Sequence, residues 1–127
     1  MSSIILITMA LLGQYLFFSG SVGFMRGKKG IQAPATGGND EFERYLRVQI
    51  NTLEQLIVTI PALWICAIYF KIDVAAVLGV IFLIGRFIYA AAYIKNPPSR
   101  STGMVIGFLA NIGLILCCIY EGLARLF

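Results

Sequence analysis

The sequence predicts an all-α integral membrane protein built as a four-helix bundle, and three observations carry that reading. Hydrophobic residues make up 59% of the 127-residue chain. The mean hydropathy is +0.86, more apolar than a soluble domain of this size. Four long apolar runs are separated only by short polar stretches. A crossing needs about 20 apolar residues, so four crossings take roughly 80 and leave loops too small to be domains. With no repeat of fixed period and no Pro-rich or Gly/Ser-rich linker, residues 1–127 read as one transmembrane domain.

The first crossing is expected over residues 4–24. It lacks a basic leader, exceeds the apolar stretch of a signal peptide, and offers no small-residue cleavage site between Phe24 and Lys29. A loop rich in Gly, Pro and Asn follows, from Gly27 to Asp40. Asp40 with Glu43 three residues on resembles a capping box, which opens a second helix over residues 41–70, kinked at Pro61. A short turn from Lys71 to Asp73 leads to a third helix, residues 74–94, stopped by Asn96, Pro97 and Pro98. Ser101 or Thr102 can cap the fourth, residues 101–125, along which Gly103, Gly107, Ala110 and Gly113 form a small-residue stripe for close helix packing.

Composition excludes several functions. Histidine is absent, and Cys66, Cys117 and Cys118 lie in apolar runs without a metal-binding spacing, so no metal site is expected and the thiols read as packing. The net charge of +4 does not point to nucleic acid, because the basic residues flank membrane segments instead of clustering with aromatics on a soluble face. Arg26, Lys28, Lys29, Arg44 and Arg47 flank the first loop, and Lys95 and Arg100 the third, against Lys71 and Arg125 on the other side. By the positive-inside rule the first and third loops are cytoplasmic, and so is any site they build. The compact termini fit a bacterial inner membrane better than an endoplasmic reticulum.

The informative residues are the polar ones inside the crossings. At about 100° per residue, Arg47, Asn51 and Glu54 fall within an arc of about 60° on the second helix, over ~10 Å of rise. An ionisable group at such a depth costs a few kcal/mol unless it is paired or meets a water-filled cavity. Arg86, Tyr89 and Tyr93 share a face of the third helix at spacings of three and four. A purely structural reading has Arg47, Glu54 and Arg86 neutralising one another as a buried network. A functional reading counts the charges: Arg47 and Arg86, with Arg26 and Arg100 at the mouth, exceed Glu54. Such a cavity suits an anion whose carboxylates the guanidinium forks grip, while Glu54 accepts an ammonium group.

These residues resemble the MAPEG family, membrane-associated proteins in eicosanoid and glutathione metabolism, and within it the branch of microsomal glutathione transferases and leukotriene-conjugating synthase. The resemblance is carried by Glu41 to Tyr69, with its Phe-Glu-Arg, Arg-x-Gln-x-Asn-x-x-Glu and Leu-Trp elements, followed by Arg86, Tyr89, Tyr93 and Arg100. It implies a homotrimer that binds glutathione between subunits near the cytoplasmic surface. Arg26, Arg47, Gln49, Asn51, Glu54, Tyr89 and Tyr93 would hold the tripeptide, with Arg86 as the membrane-embedded arginine below it. Arg100 would be the catalytic residue, favouring glutathione thiolate for attack on an apolar electrophile or lipid hydroperoxide that arrives from the bilayer. Gln55 stands where the synthase branch has tyrosine, and Gly27 where it has a second arginine. The expectation is therefore a broad detoxifying transferase or peroxidase rather than leukotriene synthesis. A non-enzymatic lipid-binding member of the family is the first rival, and Arg100 argues against it. A small multidrug transporter is the second, and its acidic residue in the first helix is missing here.

Overall fold

The computed structural model describes residues 1–127. Four long helices cross one another as a bundle: α1 (Ser2–Lys29), α2 (Asp40–Ile65), α3 (Ile72–Lys95) and α4 (Ser101–Leu126). Each helical segment is long and apolar enough to cross a bilayer, as predicted. The largest contact is between α3 and α4, followed by α1 with α2, while α1 and α4 barely meet.

The helix ends differ from the predicted ones for local reasons. α1 continues to Lys29 because nothing before Gly30 stops it. Gly30 then takes a left-handed conformation (φ 68°) that a residue with a Cβ adopts at a cost, and Ile31 N–H closes the turn onto Arg26 O at 3.0 Å. The cap of α2 is Asn39, one residue before the predicted capping box, and its Oδ1 accepts from Phe42 N–H at 3.0 Å. Helical geometry runs on through Pro61. The irregular turn comes later, at Cys66–Phe70, where Lys71 N–H bonds to Cys66 O at 3.0 Å in the wider π pattern. The predicted Lys71–Asp73 turn shrinks to Lys71, whose extended backbone separates that turn from α3.

Between α3 and α4, Pro97–Arg100 forms a single 3-10 turn that leads directly into α4. Prolines fit its first positions because those N–H groups have no intrahelical acceptor. Ser101 and Thr102 therefore do not cap, since the residue before α4, Arg100, is itself helical. The small-residue stripe is where α4 meets α3. A Cβ on Gly103 would lie 2.6 Å from Tyr89 Cα and 2.8 Å from Gly85 O, so the two backbones touch there.

The bundle is built with its polarity reversed relative to a soluble protein. Leu6, Leu16, Phe17, Phe24, Ile57 and Leu116 point outward, while Thr8, Gln14, Asn51, Thr52, Thr59, Arg86 and Asn111 are buried. Hydrocarbon tolerates the first set, and the second must find partners within the protein. At the end carrying both termini the core is apolar, with Ile4, Leu11, Leu63, Cys66, Phe82 and Leu114 in one cluster. All three cysteines are free thiols, and Cys66 sits in that core, as the packing reading expects. The other end is polar.

Candidate functional site

The polar end is organised by α2 and α3. Tyr89 and Tyr93, one helical turn apart, stack with ring centroids 5.6 Å apart and planes 19° from parallel. Arg86, one turn further into the bundle, lays its guanidinium over the Tyr89 ring at 4.3 Å and donates to Thr52 Oγ1 at 2.8 Å. Thr52 in turn donates to Val48 O at 2.7 Å, which holds its hydroxyl ready to accept. The predicted face of Arg86, Tyr89 and Tyr93 is thus a continuous column.

The purely structural reading, in which Arg47, Glu54 and Arg86 neutralise one another, is met only in its Arg47–Glu54 half. Arg86 is only 3% exposed, has no carboxylate partner, and leaves its Nε without any acceptor. Arg47 pairs with Glu54 at 3.7 Å on the outer surface of α2, where both side chains are about half exposed (49% and 53%). Asn51, between them in sequence, turns inward instead. It is 7% exposed, and its Oδ1 is buried without a donor. The helical arc holding the three residues straddles the boundary between core and surface, so they divide across it.

A single chain therefore does not enclose the one cavity expected from sequence. Asn51, Gln55 and Arg86 line one open cavity of about 300 Å³ with Met104, Val105 and Phe108 of α4. Arg47 and Tyr93 line another of about 280 Å³, with Thr36, Glu43, Leu46 and Ile50. Gln49 belongs to neither, because it reaches α1 and donates to Tyr15 Oη at 3.3 Å. Arg26 is occupied in tying the first loop down: it donates to Ala35 O at 2.7 Å and lies 4.9 Å from the centre of the Phe42 ring. Arg100 is exposed on the 3-10 turn, where its Nη1 donates to Pro97 O at 3.1 Å.

Three residues of this region escaped the sequence reading: Thr52, which holds Arg86, and Thr59 and Asn111, which contact Gln55. Asn111 donates to Gln55 Oε1 at 3.2 Å, and Thr59 Oγ1 lies 2.7 Å from Asn111 Oδ1. The available signal was Asn111 itself, an amide in the otherwise apolar middle of α4. Around this end Arg26, Lys28, Lys29, Arg44, Arg47, Arg86, Lys95 and Arg100 face only Asp40, Glu41, Glu43 and Glu54. Two ion pairs form among them, Lys29–Glu41 at 3.2 Å and Arg47–Glu54 at 3.7 Å, and the cations still outnumber the carboxylates. An excess of guanidinium and ammonium groups makes this end electrostatically suited to anions, more so at low dielectric.

Four membrane-crossing helices with an arginine- and tyrosine-lined polar end define a class of small integral membrane proteins that place charge inside the bundle. The sequence profile of the MAPEG family matches residues 4–120, and the chain belongs to that family. It is 45% identical over 102 residues to an uncharacterized protein of Synechocystis, covering 80% of this chain and 74% of that protein. It is 34% identical over 118 residues to human microsomal glutathione S-transferase 2, covering 90% of this chain and 80% of the human one. With rat leukotriene C4 synthase the identity is 34% over 98 residues, covering 76% of this chain and 65% of the synthase.

Proposed function

We propose that the chain is a membrane-bound glutathione transferase, conjugating glutathione thiolate to hydrophobic electrophiles that enter from the bilayer and reducing lipid hydroperoxides at the same site. The observation that carries this reading is Arg86: a buried guanidinium with no carboxylate partner and an unused Nε, lining the same cavity as Asn51, whose buried Oδ1 is also unused. Burying a cation without a counter-ion is costly, and a carboxylate-bearing ligand supplies the missing charge. Relatives named as a glutathione S-transferase and a leukotriene C4 synthase support glutathione as that ligand.

In this reading Arg47, Gln49, Asn51, Tyr89 and Tyr93 bind the tripeptide, Glu54 takes its ammonium group, and Arg26 helps at the loop. Gln49 and Arg26 exchange their bonds to Tyr15 Oη and Ala35 O for bonds to the ligand. Arg100 faces the sulfur. Its positive charge favours thiolate over thiol, and the thiolate attacks an electrophilic carbon to form a C–S bond while the leaving group departs with the electron pair. With a hydroperoxide, sulfur takes the distal oxygen, the O–O bond breaks, and the alkoxide is protonated. A second glutathione then reduces the sulfenic acid to disulfide and water. The outward Arg47–Glu54 pair and the open α2/α4 cavity support a homotrimer in which a neighbouring subunit closes the site, because acyl chains solvate ions poorly. The site then faces the cytoplasm.

The test is direct. Purified protein in detergent is expected to raise thiolate absorbance on adding glutathione and to conjugate an aryl halide. Arg100→Ala is expected to lose the absorbance and about a hundredfold in kcat. Its remaining rate should climb with pH through about 8.5, where a free thiol ionises unaided, while the wild type stays active below that range. A wild-type protein with no thiolate signal and no conjugation of any of several electrophiles would overturn the transferase reading.

A further inference from the structure

The middle of α4 is apolar except for Asn111, and a buried amide at that depth is costly unless its hydrogen bonds are met. Its side-chain partners lie on α2. Asn111 Nδ2 donates to Gln55 Oε1 at 3.2 Å, and Asn111 Oδ1 accepts from Thr59 Oγ1 at 2.7 Å. Thr59 Oγ1 also lies 2.9 Å from Gln55 O, so the three residues close a small ring. Asn111 is 5% exposed and Thr59 fully buried, whereas Gln55 continues onto the wall of the cavity shared by Asn51 and Arg86.

That ring decides which end of the Gln55 carboxamide faces the cavity. With Oε1 held by Asn111, the Gln55 Nε2 donors remain for whatever occupies the space. Gln55 then offers donors to a cavity that the Arg86 cation also lines, while Arg86 Nε and Asn51 Oδ1 stay buried behind its wall. Such a wall suits a group rich in acceptors, a carboxylate or peptide carbonyl. Without Asn111, the Gln55 amide is free to turn its oxygen toward the cavity and repel the same group.

We propose that Asn111 is a positioning residue that, through Gln55, sets this cavity to accept a carboxylate or carbonyl of the bound ligand. The inference rests on glutathione being that ligand. Asn111 touches no reacting atom, so its removal weakens binding and leaves chemistry at saturation intact.

A double-mutant cycle tests it, using the full-length protein in detergent with glutathione itself as the probe and both calorimetry and initial rates as readouts. Asn111→Leu and Gln55→Leu are each expected to weaken glutathione binding about tenfold, with the KM for glutathione rising in step and kcat at saturation unchanged. The double variant is expected to bind no more weakly than Gln55→Leu alone, because the two residues act as one unit. Thr59→Val, nearly isosteric, loosens Asn111 without opening a cavity and guards against misfolding of Asn111→Leu. It is expected to weaken binding in the same direction by a smaller factor. Wild-type affinity in both Asn111→Leu and Thr59→Val, or a double variant whose loss is the product of the two single losses, overturns the positioning role while leaving the glutathione reading in place. A wild-type protein with no affinity for glutathione overturns both.

Discussion

Thr52 and Arg86 show how one hydroxyl governs a buried charge. Thr52 Oγ1 accepts from Arg86 Nη2 at 2.8 Å, and Arg86 Nε already lacks a partner. Thr52→Val removes that acceptor without changing shape, so it is expected to cost about 1.5 to 3 kcal/mol, read as a lower unfolding midpoint in detergent. Arg86→Met removes the cation together with its need for partners. It is expected to cost less stability than Thr52→Val, because a packed apolar side chain replaces an incompletely paired ion. The same Arg86→Met protein should bind glutathione poorly, which separates the residue's contribution to stability from its contribution to the ligand. Arg86 was legible in sequence as a costly residue facing inward. Its lack of a carboxylate partner was not, because Glu54 sits on the same helical arc as Asn51 yet lies on the far side of the boundary between core and surface.

At the scale of elements, the α3–α4 crossing fixes the geometry of the site. Gly103 stands three residues after Arg100, and its backbone rests against Gly85 and Tyr89. A methyl group there meets backbone, which cannot move without separating the helices. Gly103→Ala is expected to cost about 1 to 3 kcal/mol and to reduce activity as well, by shifting Arg100 relative to the Tyr89–Tyr93 stack. Gly113→Ala is the control, since its Cβ meets only the Leu78 side chain at 3.2 and 3.3 Å, which can rotate aside. Unfolding and conjugation assays on the pair check this, and equal losses in the two variants would contradict it. The glycine stripe was readable as a packing face from its spacing. That Tyr89 lies under it was not, because the partner of a helix face depends on how two helices cross.

For the whole molecule, ligand binding and stability are linked. Glutathione that binds only the folded assembly stabilises it by mass action, about 2.7 kcal/mol at a hundredfold excess over Kd. Thermal unfolding with and without glutathione is expected to show this as a raised midpoint, with sedimentation in detergent giving the mass of a trimer. Glu54→Gln keeps the shape but discards the acceptor charge, so it is expected to lose most of that shift while the unliganded midpoint stays nearly constant. The constancy follows because the Arg47–Glu54 pair is half exposed at 3.7 Å, and such pairs contribute little to stability. A shift that survives in Glu54→Gln removes Glu54 from the binding site.

The sequence by itself determined the membrane as solvent, the four crossings, their all-helical class and the family, because about 20 apolar residues per crossing and a set of costly polar residues are properties of the chain read locally. It also singled out the charged residues too expensive to be ornamental in hydrocarbon, though not the amide of Asn111. Only the tertiary structure decided how they are grouped: Gln49 onto Tyr15, Asn51 inward and Glu54 outward, Gln55 joined to an asparagine 56 positions away. Helical periodicity fixes the relative angle of side chains but not the rotation of the helix in the bundle, and that rotation follows from contacts such as Gly103 on Tyr89, which no single helix contains.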